Sequence, residues 1–93
     1  MARTINTVLI YGYGVMGQGV AKTFAEAGFR TIVKSRRAKS ITNIPAGVEV
    51  VAVLPAEPPD LLIEFVPEDV PTKQSVYREI EVAYPKADFL LAT

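Results

Sequence analysis

Apolar residues in this chain fall into short runs separated by Gly and Pro, and the period within each run changes along the sequence. Thr7-Val8-Leu9-Ile10-Tyr11 does not alternate with polar positions, which predicts a strand covered on both faces, as in a parallel sheet. Met16, Val20, Phe24 and Ala27 then recur at helical spacing, with Ala21 widening the stripe, and Gly28 follows where a left-handed cap is wanted. Thr31-Ile32-Val33 predicts a second strand, so strand, helix and strand occupy about 30 residues, the length of a βαβ unit. The stretch from Ser35 to Pro45 is polar and too short for a helix of ordinary length. Pro45-Ala46-Gly47 turns the chain into a third strand, Val48–Leu54, and Pro55, Pro58 and Pro59 stiffen the loop after it. Leu61 to Val66 reads as a fourth strand. Pro71 and Thr72 open a second helix with Val76, Ile80 and Ala83 on one side, and Pro85 ends it. Phe89-Leu90-Leu91-Ala92 begins a fifth strand.

Length and composition narrow the classes open to such a chain. Its 93 residues make one domain, spanning residues 1–93, with no internal repeat or low-complexity tract. No apolar run approaches the roughly 20 residues of a membrane span, and the N-terminus lacks the charged-then-apolar layout of a signal peptide. The absence of cysteine rules out disulfides and fits a cytoplasmic chain. With neither His nor Cys, imidazole and thiolate chemistry are excluded, and no metal site is expected. Ten Lys and Arg balance ten Asp and Glu, so neither a nucleic-acid nor an anionic membrane partner is expected. One local imbalance stands out: Lys34, Arg36, Arg37 and Lys39 cluster without an acid among them.

Between the first strand and the first helix lies Gly12-Tyr13-Gly14-Val15-Met16-Gly17. A Gly-x-Gly-x-x-Gly motif gains weight when it leaves a buried strand and opens an amphipathic helix, as here. Gly12 permits the tight turn, Gly14 lets a pyrophosphate approach the backbone, and Gly17 allows close packing of the helix. The N–H groups at the helix start, around Val15 and Met16, are then expected to hold the phosphates. Gly19 is read as a close-packing position. Together these elements predict an α/β fold, a Rossmann-like doubly wound parallel sheet with helices on both faces, whose ligand is a dinucleotide.

At the end of the second strand, about 20 residues after the loop, an acidic residue would accept hydrogen bonds from the adenosine ribose. This chain has Ser35, followed by Arg36 and Arg37. A carboxylate would repel a 2′-phosphate, whereas a hydroxyl and two guanidinium forks suit one. The expected cofactor is therefore NADP in preference to NAD.

Longer stretches resemble a known family. Gly12 to Ala21 with Ala25-Glu26-Ala27-Gly28-Phe29, then Pro59 to Asp69, then Lys73-Gln74, and finally Leu90-Leu91-Ala92-Thr93, are similar to the opening domain of 3-hydroxyacyl-CoA dehydrogenases. The resemblance covers most of the chain. It implies that Val66-Pro67-Glu68 and Lys73 lie beside the nicotinamide half of the cofactor. Glu64, inside an apolar strand, should lie near the strand end or find a donor, and is given no catalytic role. Three departures modify the expectation. Ser35 stands where the family has Asp. The long helical segment between the second and third strands, which contributes to acyl-CoA binding in the family, is reduced to Arg36–Pro45. The chain ends before the Asn-Thr-Ser segment and the His–Glu pair that serves acid–base chemistry.

The resulting expectation is the N-terminal, cofactor-binding portion of a longer NAD(P)-dependent oxidoreductase. The intact enzyme would transfer hydride between nicotinamide and a 3-hydroxy/3-oxo small-molecule substrate. This chain carries no catalytic residue and should be inactive alone. Two other readings remain: a free-standing nucleotide-binding or sensing module, and another NADP-dependent reductase of a small carbonyl or imine. An uncovered apolar strand at the end of the chain predicts self-association.

Overall fold

The computed structural model describes residues 5–12, 14–35, 37–42, 44–65, 70–85 and 89–92. The elements run β1 (Thr7–Tyr11), α1 (Val15–Glu26), β2 (Arg30–Lys34), a 3₁₀ turn (Ala38–Ser40), β3 (Val48–Val51), β4 (Leu61–Glu64), α2 (Val70–Ala83) and β5 (Leu90–Ala92). All strand pairs are parallel, in the order β3-β2-β1-β4-β5. The sheet is thus wound outward from β1 in both directions, and the order reverses between β1 and β4.

Strand alternation divides the core between two helices. Val8, Ile10 and Val33 face α1 and are fully buried with Ala21, while Val20, Phe24, Val50 and Ile63 pack around them. Leu9, Ile32 and Leu62 point the other way and meet Val76, Ile80 and Tyr84. Each face therefore has its own cluster, and β1 belongs to both. This explains why its sequence does not alternate.

The ends of the elements depart from the expected ones for local reasons. β3 stops at Val51, because Val51 pairs with Lys34, the last residue of β2. Beyond it Ala52 and Val53 are exposed, and Leu54 folds back on the α2 cluster. β4 is described to Glu64, opposite Tyr11, with Val66 outside the described residues. β5 begins at Leu90, since pairing starts at Leu61↔Leu90. Phe89 instead packs edge-on against Tyr84, with ring centroids 5.8 Å apart.

Two expected stripe positions are also corrected. Ala27 is exposed at the C-cap of α1, and Ala83 is exposed on α2, where Tyr84 completes the buried row. The Tyr84 hydroxyl donates to the Pro55 carbonyl at 2.7 Å, and burial raises its pKa above the usual 10.0. Gly28 does cap α1, with φ of +95°. Its N–H donates to Ala25 and that of Phe29 to Phe24, both at 3.1 Å, while the Phe24 and Phe29 rings meet edge to face. This is a Schellman ending with its hydrophobic contact.

At the opposite edge of the sheet, Asp60 ties the entry of β1. Its Oδ2 accepts from the N–H groups of Asn6 (2.9 Å) and Thr7 (3.0 Å), and its own N–H donates to the Thr7 carbonyl. Among the described residues no helix is long and apolar enough to cross a membrane.

Candidate functional site

The three motif glycines occupy different environments. Gly12 has φ of +105°, and a Cβ there would lie 2.4 Å from the Phe65 carbonyl oxygen. A side chain is thus barred both by conformation and by space. Its N–H donates to the Lys34 carbonyl at 3.0 Å, which fixes the loop entrance between β1 and β2. A Cβ on the buried Gly17 would lie 2.5 Å from the Gly12 carbonyl oxygen and near Ile10, so the start of α1 rests on the loop itself. Gly14 is exposed, and among the described residues nothing lies within 4 Å of its ideal Cβ.

Gly14 is also the N-cap of α1. It offers no side-chain cap, and the first turn contains no acidic residue. Val15 and Met16 open the helix, their side chains lying outside the described residues. The helix start therefore presents backbone N–H groups and the positive end of the dipole with no side-chain cap among the described residues. That combination suits a phosphate. Gly19 is not a close-packing position: it is exposed, with nothing among the described residues within 4 Å of its ideal Cβ, and its carbonyl accepts from the Thr23 hydroxyl at 2.9 Å.

At the carboxyl end of β2, Ser35 is half-buried. Its N–H donates to the Val51 carbonyl, and its Oγ accepts from the Arg37 N–H at 3.1 Å. The Arg37 carbonyl in turn receives the Ser40 N–H and hydroxyl, so the 3₁₀ turn holds this corner. Arg37 and Lys39 are exposed; Arg36 lies outside the described residues.

Lys34 does not belong to that solvated cluster. It is buried, two residues beyond Ile32 on the α2 face. Its Nζ lies 3.5 Å from Glu79 Oε2, 3.4 Å from the Tyr11 hydroxyl and 4.8 Å from the Tyr11 ring centre. The Tyr11 hydroxyl donates to Glu79 Oε1. Counting charges along the sequence conceals this, because adjacent strand residues point to opposite faces.

At the end of β4, Glu64 has a side chain only 1% exposed. It finds the donors that burial demands: Lys73 Nζ at 2.7 Å and the Tyr77 hydroxyl at 3.1 Å. Val66, Pro67 and Glu68 lie outside the described residues. Tyr11 is in register with both Lys34 and Glu64. A row of three polar side chains therefore crosses the carboxyl edge of the sheet and is met by Lys73, Tyr77 and Glu79 of α2. Lys73 and the need of Glu64 for a donor are visible in the sequence. Tyr11, Tyr77 and Glu79 are not singled out there, although strand parity and the i, i+4 spacing of Lys73 and Tyr77 carry a signal for the first two.

The glycine loop, the Ser35 corner and the Glu64–Lys73 pair thus share one edge, around the point where the strand order reverses. Open α/β sheets bind their ligands there. A depression of about 280 Å³, lined by Thr7, Arg30, Pro55, Glu57 and their neighbours, lies at the opposite edge and takes no part in this arrangement. Among the described residues no group of three or more acidic residues could hold a metal ion.

No family model and no curated protein sequence matches the chain. Solved structures do resemble it. The dehydrogenase part of multifunctional enzyme 1 from C. elegans matches with a TM-score of 0.80 at 21% identity, over 99% of this chain and 26% of that one. A diketoreductase, described for substrate-directed dual catalysis of dicarbonyl compounds, matches with a TM-score of 0.74 at 20% identity. That match covers 98% of this chain and 42% of the diketoreductase. The chain spans less than half the length of either structure. At such identities the likeness establishes the fold, which is Rossmann-like, a doubly wound parallel sheet.

Proposed function

We propose that this chain binds a nicotinamide dinucleotide across the carboxyl edge of its sheet, as the cofactor-binding portion of an oxidoreductase resembling 3-hydroxyacyl-CoA dehydrogenase. The observation that carries the reading is the contrast among the three glycines. Gly12 and Gly17 are closed against neighbouring backbone, whereas Gly14 opens onto the uncapped start of α1. Packing explains the first two; the third leaves the helix start open to the close approach of a pyrophosphate, which supports the reading. Both similar structures are described as, or named for, enzymes of dehydrogenase or reductase type, which agrees with this reading.

In this assignment Gly14 and the N–H groups of Val15 and Met16 hold the pyrophosphate. Ser35, Arg36 and Arg37 receive the 2′-phosphate of NADP, and Val66, Pro67, Glu68 and Lys73 flank the nicotinamide half. The cofactor supplies the hydride, and the chain supplies binding and orientation. The substrate class we assign is a small 3-hydroxy or 3-oxo compound of the intact enzyme. A second reading, a nucleotide-binding module without catalysis, is favoured by one feature. The β2–β3 connection forms only a single 3₁₀ turn among its described residues, leaving little to grip a large acyl carrier.

Calorimetric titration with NADP and NAD tests the proposal. Binding of both, tighter for NADP, is expected, and Arg37→Ala should weaken NADP more than NAD. Tighter NAD binding would overturn the NADP preference, and binding of neither would overturn the function.

A further inference from the structure

The Glu64–Lys73 pair needs an explanation that stability does not provide. Burying a carboxylate against an ammonium roughly breaks even with an apolar pair of the same volume. Lys73 is moreover the fourth residue of α2, and a cation at the amino end of a helix opposes the dipole. The pair sits at the last residue of β4, and Phe65, the next residue, is in van der Waals proximity to Gly12 of the phosphate loop. With the pyrophosphate at the start of α1 and the adenosine end at Ser35 on the β2 side, the other half of a dinucleotide extends toward β4 and α2.

We infer that Glu64 is a specificity-determining residue that sets how this site discriminates oxidised from reduced nicotinamide. The inference rests on the dinucleotide reading above. An oxidised nicotinamide is a pyridinium cation, and the reduced ring is neutral. Lys73 and the positive end of α2 disfavour the cation; the buried carboxylate of Glu64 offsets them. With Glu64 in place the site accepts both forms, as a redox cofactor requires. A change of one unit of charge there alters the affinity of the oxidised form and leaves that of the reduced form nearly constant. Little solvent screens it, since the Glu64 and Lys73 side chains are only 1% and 19% exposed.

The experiment measures dissociation constants of NADP⁺, NADPH and adenosine 2′,5′-bisphosphate for the wild type and for variants that shift the charge in opposite directions. Glu64→Gln is expected to raise the ratio of the NADP⁺ to the NADPH constant by on the order of ten-fold. Lys73→Met should lower the ratio, and Glu64→Gln combined with Lys73→Met should return it close to the wild-type value. Tyr77→Phe removes a hydrogen bond to the same carboxylate without changing charge and should leave the ratio alone. Adenosine 2′,5′-bisphosphate, which lacks nicotinamide, should bind equally to all. A purely structural role would weaken every ligand together. A ratio that stays constant, or moves the same way in the two single variants, overturns the inference while leaving the dinucleotide reading intact. A wild type that binds none of the three overturns both. Should Glu64→Gln not fold, the direction of the Lys73→Met shift decides.

Discussion

A methyl group at Gly12 would need to share space with the Phe65 carbonyl oxygen at a φ of +105°, whereas one at Gly14 would meet none of the described residues. Gly12→Ala is therefore expected to lower the unfolding free energy by about 3 kcal/mol, through strain and displaced backbone. Gly14→Ala should stay within about 0.5 kcal/mol of the wild type yet weaken dinucleotide binding at least about ten-fold. Urea denaturation and ligand titration on the same two variants separate these roles. An equal loss of stability in both would refute the distinction. Tyr84 yields a second expectation. Its folded pKa is raised by burial, so its contribution to stability is complete below pH 10.0 and disappears as pH rises through the folded value. Denaturation between pH 8 and pH 11 should show this loss, and Tyr84→Phe should flatten it. At this scale the motif was legible because glycine has few other reasons to recur at that spacing. Lys34 was not, since its partners come from β1 and α2, 23 and 45 residues away in sequence.

Helices and strands were legible where an apolar period filled a whole element and illegible where a neighbour decided the end. Val76 and Ile80 were found from spacing alone. Tyr84 was not, because it lies one residue past α2 and is drawn inward by the Pro55 carbonyl. The apolar run continues through Ala52-Val53-Leu54, three residues past the end of β3, and nothing in it signals that the partner strand has ended. The two-sided core carries its own prediction. Leu62 is fully buried among Leu9, Ile32, Val76 and Ile80 on the α2 side. Leu62→Ala should cost about 3 kcal/mol, as for other buried leucines. Val82→Ala, on the exposed side of the same helix, should cost less than about 0.5 kcal/mol. Comparable midpoints for the two variants in urea would contradict the assignment of faces.

For the molecule as a whole, the order β3-β2-β1-β4-β5 leaves β3 and β5 at the two margins of the sheet, and the exposed Val53 lies two residues past the end of β3. Unpaired strand edges invite pairing with another chain, so we expect reversible self-association. Sedimentation velocity over a hundred-fold concentration range checks it, and a constant monomer would count against it. The doubly wound architecture was legible as a whole, since buried strands alternating with amphipathic helices admit few alternatives. The polar row along its carboxyl edge was not, because it exists only once three strands are in register. The ladder itself extends past the strand ends: the Gly12 N–H reaches Lys34 and the Phe65 N–H reaches Tyr11 at 2.8 Å. The entrance of the glycine loop is thereby stitched into the sheet, so its amide protons are released only when the sheet opens. In deuterated buffer the Gly12 and Phe65 amides should exchange as slowly as those of Leu9 and Ile10. The Gly14 amide, two residues along, should exchange orders of magnitude faster: a loop rigid at its root and ready at its tip.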